Sequence, residues 1–210
     1  MNDLLVRIMS GVIMIVVALG AAVEGGGLFA IFVAAIVTVM YYEWRQMTLS
    51  WGPGWAIGGF IYCLLPAVAL LWVRGWDDSR LNLLLWVFIV TWATDIGAYF
   101  VGRAIGRNKL APTISPGKTI EGLIGGMIAA GLLGGAWAIE QGLGKPLLVA
   151  APLFALAAQA GDLFESWIKR RAGVKDSGHI LPGHGGLLDR VDGLVPVAVL
   201  TALAQLSGLA

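Results

Sequence analysis

Long apolar runs separated by short polar links dominate the chain. A helix that crosses about 30 Å of hydrocarbon needs about 20 apolar residues. Seven stretches approach or meet that length: Leu5–Val23, Leu28–Trp44, Trp55–Val73, Leu81–Phe100, Thr119–Ile139, Leu147–Ile168 and Leu187–Leu209. The pattern predicts an all-α polytopic membrane bundle of about seven transmembrane helices. No polar mature domain and no convincing small-residue cleavage site follow the first run, so it is expected to be a retained helix rather than a signal peptide. No linker, composition shift or internal repeat divides the chain, and residues 1–210 read as a single integral membrane domain.

Composition agrees with the pattern. The 210 residues are 58% hydrophobic and 13% charged, with a mean hydropathy of +0.82. A soluble domain carries roughly 45–50% apolar and about 25% charged residues, so one water-soluble core cannot hide this much apolar surface. Thirty glycines and nine tryptophans suit helices that pack closely and end at a membrane interface. The single cysteine, Cys63, sits in an apolar run and reads as a packing residue. A net charge of +1 leaves no electrostatic case for nucleic acid.

The positions of the few charges orient the bundle. With the N-terminus cytoplasmic, eleven basic residues fall inside: Arg7, Arg45, Arg103, Arg107, Lys109, Lys118, Lys169, Arg170, Arg171, Lys175 and Arg190. Three fall outside: Arg74, Arg80 and Lys145. The positive-inside rule then places both long connections, 102–118 and 170–186, on the cytoplasmic side. Both are rich in Gly, Pro and basic residues, and long loops on a compact protein usually carry function. Residues 1–90 are therefore expected to be lipid-embedded helices, and 91–210 the catalytic helices and cytoplasmic loops.

Acidic residues in apolar spans are costly, about +3 kcal/mol each on insertion scales. The chain has seven at or near such depth: Glu43, Asp95, Glu121, Asp162, Glu165, Asp189 and Asp192. Asp162 and Glu165 are spaced i,i+3, so they share a helix face that continues through Ser166 and Lys169. Asp189 and Asp192 repeat that spacing at the expected start of the last helix. Two carboxylates from each of two helices could surround a hard cation with oxygen, and Mg²⁺ suits such a site beside a phosphate substrate. The plain alternative is that Lys169, Arg170 and Arg190 neutralise these acids as interhelical ion pairs.

The first long loop supplies cations. Ser115, Lys118 and Thr119 sit where a helix is expected to begin, and free N–H groups beside a lysine favour phosphate. Gly117-Lys118-Thr119 is not a P-loop: Pro112 stands where the leading glycine belongs, and no strand is expected before it. His179 and His184 lack a zinc-site spacing and a partner cysteine.

Residues 166–192 closely resemble the signature of the phosphatidate cytidylyltransferases (CDP-diacylglycerol synthases). The matching residues are Ser166, Lys169, Arg170, Lys175, Asp176, Pro182, Gly183, His184, Gly185, Gly186, Asp189, Arg190 and Asp192. Asp95, Tyr99, Gly102 and Arg103 resemble an upstream element of that family. Residues 115–122 resemble another, with Gly117 where the family usually has Lys. The chain is short for the family, and its N-terminal half matches by hydropathy only.

The resemblance implies a bacterial inner-membrane enzyme, with its active site on the cytoplasmic side, that joins CTP to phosphatidic acid and releases pyrophosphate. It implies Mg²⁺, with a second cation as an option, held by Asp162, Glu165, Asp189 and Asp192. It implies catalytic roles for Asp162, Asp189, Asp192 and Lys169. Substrate contacts would come from Ser115, Lys118, Thr119, Arg103, Ser166, Arg170, Lys175, Asp176, His184, Gly185, Gly186 and Arg190. Expected partners are CTP, phosphatidic acid, membrane lipid and a second copy in a homodimer. A CTP-dependent polyprenol or phytol kinase, a CDP-archaeol synthase and a transporter are the alternative readings.

Overall fold

The computed structural model describes residues 3–76, 80–181 and 183–209; Pro182 of the signature lies outside them. The helices are α1 (Asp3–Glu24), α2 (Gly26–Thr48), α3 (Pro53–Arg74), α4 (Leu81–Ile105), α5 (Ile120–Glu140), α6 (Lys145–Arg171), α7 (Leu188–Val191) and α8 (Leu194–Leu206). A 3₁₀ turn, Leu49–Trp51, joins α2 to α3. Strands β1 (Lys109–Ala111) and β2 (Ser115–Thr119) form an antiparallel hairpin.

Six helices, α1 to α6, are long and apolar enough to cross a membrane. They hold 21 to 27 residues, about 32–40 Å at 1.5 Å per residue. Their outward side chains are apolar: Ile8, Val12, Ile15 and Val16 on α1, and Ile124, Ile128 and Leu132 on α5, are all exposed. Hydrocarbon, unlike water, accepts such a surface.

The expected seventh span, Leu187–Leu209, is not one helix. It divides into the four residues of α7 and the thirteen of α8. At about 20 Å, α8 is too short to cross the hydrocarbon alone. The break falls at Gly193, a weak helix former, just before Pro196, which has no N–H to return to residue 192; Pro66 and Pro152 sit inside α3 and α6 without ending them. Asp189 therefore lies on α7 and Asp192 in the turn after it, so the pair does not share the single helix face that its spacing suggested.

The chain forms two compact units. The first comprises Met1–Leu81 with Ile168–Val191, the second Asn82–Trp167 with Asp192–Ala210. In the first unit α2 and α3 meet at Trp44. Its indole donates to the Trp55 carbonyl at 2.8 Å and lies against Gly59, where any Cβ would collide with the ring. The buried Arg74 closes the end of α1, its guanidinium donating to the carbonyls of Ala22 (2.6 Å) and Val23 (3.1 Å). Those carbonyls have no partner within the helix itself.

In the second unit α5 packs through glycine. A Cβ on Gly126 would stand 2.7 Å from the Thr94 carbonyl, and one on Gly134 would stand 2.7 Å from Val90. Close backbone approach of this kind replaces the hydrophobic drive that lipid removes. Trp86, fully buried, donates to the Gly134 carbonyl at 3.0 Å. Buried Thr91, Thr94 and Thr201 each return their hydroxyl to the carbonyl four residues back, which satisfies a polar group where water is absent.

The hairpin corrects two expectations. A strand does precede Gly117-Lys118-Thr119, and Ser115 and Lys118 lie on β2 rather than at a helix start. Thr119 alone fills the expected role: its hydroxyl accepts the Gly122 N–H at 3.1 Å and caps α5. Strands of three and five residues containing Pro and Gly show no alternating pattern to read. Glu121 secures the approach to the hairpin, accepting the N–H groups of Arg107 (3.1 Å) and Asn108 (3.2 Å) and the Asn108 side-chain amide (2.8 Å).

Candidate active site

In the second unit, β2 carries Lys118 to α6. The ammonium meets Asp162 at 2.5 Å and donates to the Gln159 side-chain amide oxygen, Oε1, at 2.8 Å. Ser166, one turn on, donates to Asp162 at 3.3 Å. Glu165 and Ser166 are buried. Asp192 is coupled to this group through its charge. It accepts its neighbour Gly193's N–H at 2.8 Å. Part of its surface stays exposed, yet the protein atoms around the carboxyl exclude enough water to push its pKa up to about 7. The negative charge of Asp162 adds to that rise, and Asp95 adds less; Lys118 opposes it.

Asp192 thus feels the negative charge of both Asp162 and Asp95, and the positive charge of Lys118. Carboxylate oxygen is the donor Mg²⁺ takes, so Asp95, Asp162 and Asp192 fit a hard divalent cation in their chemistry. Among the described residues no three His, Cys, Asp or Glu side chains are gathered into a ready-made cage.

In the first unit the 175–189 loop folds around Asp189. Oδ1 of Asp189 accepts the Lys169 ammonium at 2.6 Å, and Oδ2 accepts the N–H groups of Ser177 and Gly186, each at 3.0 Å. Asp189 is therefore a loop organiser as well as an expected ligand. Gly183 and Gly185 have φ of +75° and +80°, which Gly adopts at no steric cost. Leu181 and Gly185 close the turn between them with an isolated bridge. Arg190 donates twice to the His184 carbonyl, at 2.8 and 3.1 Å. The His184 ring meets the Ser10 hydroxyl of α1, 2.8 Å from Nδ1. Lys175 and Asp176 are exposed, and a Cβ on Gly185 would stand 3.5 Å from that of Asp176.

The three consecutive cations at the end of α6 separate. Lys169 takes Asp189, Arg170 donates to the Val174 carbonyl at 3.2 Å, and the Arg171 guanidinium stacks on Trp51 and Trp55. Arg103, on the last turn of α4, donates to the Tyr99 hydroxyl at 3.2 Å. Of the expected site residues, the structure brings together Lys118 with Asp162 and Ser166, and Lys169 with Asp189, Gly186 and Gly185. Gln159 and Ser177 were missed, because nothing in their local sequence marks them. Glu43 and Asp95 carried a readable signal, a carboxylate within an apolar run.

The model of a family described as the cytidylyltransferase family matches residues 49–207. A protein of Brucella suis named phosphatidate cytidylyltransferase is 37% identical over 254 aligned residues, covering 97% of this chain and 93% of that protein. Because that span exceeds the 210 residues here, the Brucella protein carries residues inside the aligned stretch that this chain lacks. A protein of the same name from Pseudomonas aeruginosa is 38% identical over 82% of this chain and 66% of its own. Another from Bacillus subtilis is 46% identical over 57% of this chain and 46% of its own. Given a match across most of the chain and relatives of this similarity along nearly all of it, the chain belongs to the cytidylyltransferase family.

Proposed function

We propose that this chain makes CDP-diacylglycerol and pyrophosphate from CTP and phosphatidic acid. The observation that carries the reading is the pairing of a lysine with an aspartate in each unit, Lys118 with Asp162 and Lys169 with Asp189, within residues that match the family. A phosphate oxygen of the lipid attacks the α-phosphorus of CTP. A new P–O bond forms, the bond from the α-phosphorus to the bridging oxygen breaks, and pyrophosphate leaves. The nucleophile is already an anion, so no serine or cysteine nucleophile is required.

The difficulty is electrostatic, since two polyanions must meet. Lys118, Lys169, Arg103, Arg170, Lys175 and Arg190 supply positive charge that binds phosphate and offsets the charge gathering on the departing pyrophosphate. Asp162 and Asp192, with Asp95 and Glu165 as further donors of the same unit, would hold Mg²⁺, and Asp189 of the first unit would be a further ligand. That ion would screen the phosphates and stabilise the leaving group. Gly185 and Gly186 let the backbone come close to the nucleotide, and His184 and Asp176 flank them. Ser115, Thr119 and Ser166 offer hydroxyls to the lipid phosphate or the triphosphate.

The reading places the N-terminus in the cytoplasm of a bacterium and the site at the cytoplasmic face of its inner membrane. There CTP arrives from water and the lipid head group from the bilayer. The reading also includes a homodimer, on the resemblance alone, which light scattering of the detergent-solubilised protein checks. Purified protein given CTP, Mg²⁺ and phosphatidic acid is expected to yield pyrophosphate and a CMP-bearing lipid in equal amounts. CDP with a newly phosphorylated lipid, or no nucleotide consumption, overturns the reading.

A further inference from the structure

We infer that Glu43 is a positioning residue for the CTP-binding loop, so that helices α1 and α2, which precede the stretch matched by the family model, help to build the site. The inference rests on the proposed role of residues 175–190 in binding CTP.

Glu43 lies on α2 and is 1% exposed. A buried carboxylate must be satisfied to persist. Its three partners all come from the loop. Oε1 accepts the Leu187 N–H at 2.9 Å, and Oε2 accepts the Leu188 N–H at 2.8 Å and the Ser177 hydroxyl at 3.2 Å. These are neutral donors, so Glu43 is not one half of an interhelical ion pair.

The loop is shaped to admit this side chain. A Cβ on Gly178 would come within 2.5 Å of Oε1, and one on Gly186 within 2.9 Å of Oε2. Asp189 grips the same two places from within the loop, through the N–H groups of Ser177 and Gly186. Both ends of the excursion from 177 to 186 are thus tied twice, once by Asp189 and once by Glu43. The excursion carries His184 and Gly185. Ser10 of α1 adds a third tie by holding the His184 ring at Nδ1. Every contact named lies within the first unit.

The geometry of the Glu43 carboxylate sets where the backbone of Gly185 and Gly186 stands. An apolar side chain in place of Glu43 would leave three donors unpaired, a cost that arises whatever the role, so loop order and the KM for CTP, not stability, distinguish positioning from mere structure. Glu43→Gln keeps the size but turns one acceptor oxygen into an NH₂ that faces an N–H. In the full chain in detergent, E43Q is expected to lose amide-exchange protection in the peptide spanning 176–189 and keep it in α3 and α5. The KM for CTP rises about 10-fold or more, by analogy with the outer-shell residues that orient metal ligands, while the KM for phosphatidic acid is unchanged.

Wild-type exchange and a wild-type KM for CTP in E43Q overturn the inference. So does a loss of protection spread over all helices with both KM values rising together, the mark of a merely structural role. If E43Q does not fold, Ser177→Ala removes one of the three bonds and is expected to raise the KM for CTP in the same direction; no change overturns the inference. Failure of the proposed function is distinguishable, because wild-type protein would then not consume CTP, whereas the exchange pattern reports the loop tie whatever the substrate.

Discussion

Removing the charge of Asp189 tests a nearly buried ion pair of the first unit. Asp189 and Lys169 meet at 2.6 Å with side chains 6% and 11% exposed. In Asp189→Asn the amide oxygen can keep the Ser177 and Gly186 N–H groups. The amide nitrogen then faces the ammonium of Lys169. The reverse orientation leaves two backbone donors unsatisfied and costs more. Either way Lys169 keeps a nearly buried charge and loses the carboxylate 2.6 Å from its ammonium.

Breaking a buried pair from one side costs about 3–5 kcal/mol, and for a chain of this size that corresponds to a fall in thermal midpoint on the order of 10 °C. Tryptophan fluorescence during heating in detergent reads it, and nine tryptophans give ample signal. Adding Lys169→Met removes the uncompensated part of that charge, so the double variant should melt above D189N. Both variants lose CTP turnover. A double variant no more stable than D189N, or additive single effects, refutes the coupling on which the estimate rests.

Two further outcomes follow from other parts of the site. Asp192 has its pKa raised from 3.8 to about 7. Its contribution to the stability of the metal-free protein is therefore fully present below pH 3.8 and lost as pH rises through about 7. Asp192→Asn should raise the thermal midpoint measured in EDTA at pH 8 relative to wild type and leave it little changed at pH 4; equal shifts at both values contradict the reading. The Arg171 guanidinium lies 4.6 Å from the Trp51 ring centroid and 5.0 Å from that of Trp55. Arg171→Ala should cost about 1 kcal/mol and leave the KM for CTP unchanged, and a raised KM would mean that Arg171 binds nucleotide rather than anchoring α6 to the aromatic pair.

Much of this molecule is legible along the chain, and the misses share a cause. Runs such as Trp55–Val73 announced helices because transfer into hydrocarbon adds up residue by residue. The hairpin at Lys109–Thr119 was not visible, since two short strands exist only by pairing with each other. Leu187–Leu209 read as one span because hydropathy does not register the weak helix formers Gly193 and Pro196 that fall together at the break. The residues of the 166–192 signature could be named from their order, but their partners could not.

Membrane character, the six long helices and the chemical types at the site are properties of local composition, and the amino-acid order alone determined them. Which carboxylate meets which cation was decided only by the tertiary structure. Lys169 and Asp189 are 20 residues apart, Lys118 and Gln159 are 41, and Glu43 and Leu188 are 145. A charge's energy depends on what lies within a few ångströms of it, and at such separations only folding sets that distance.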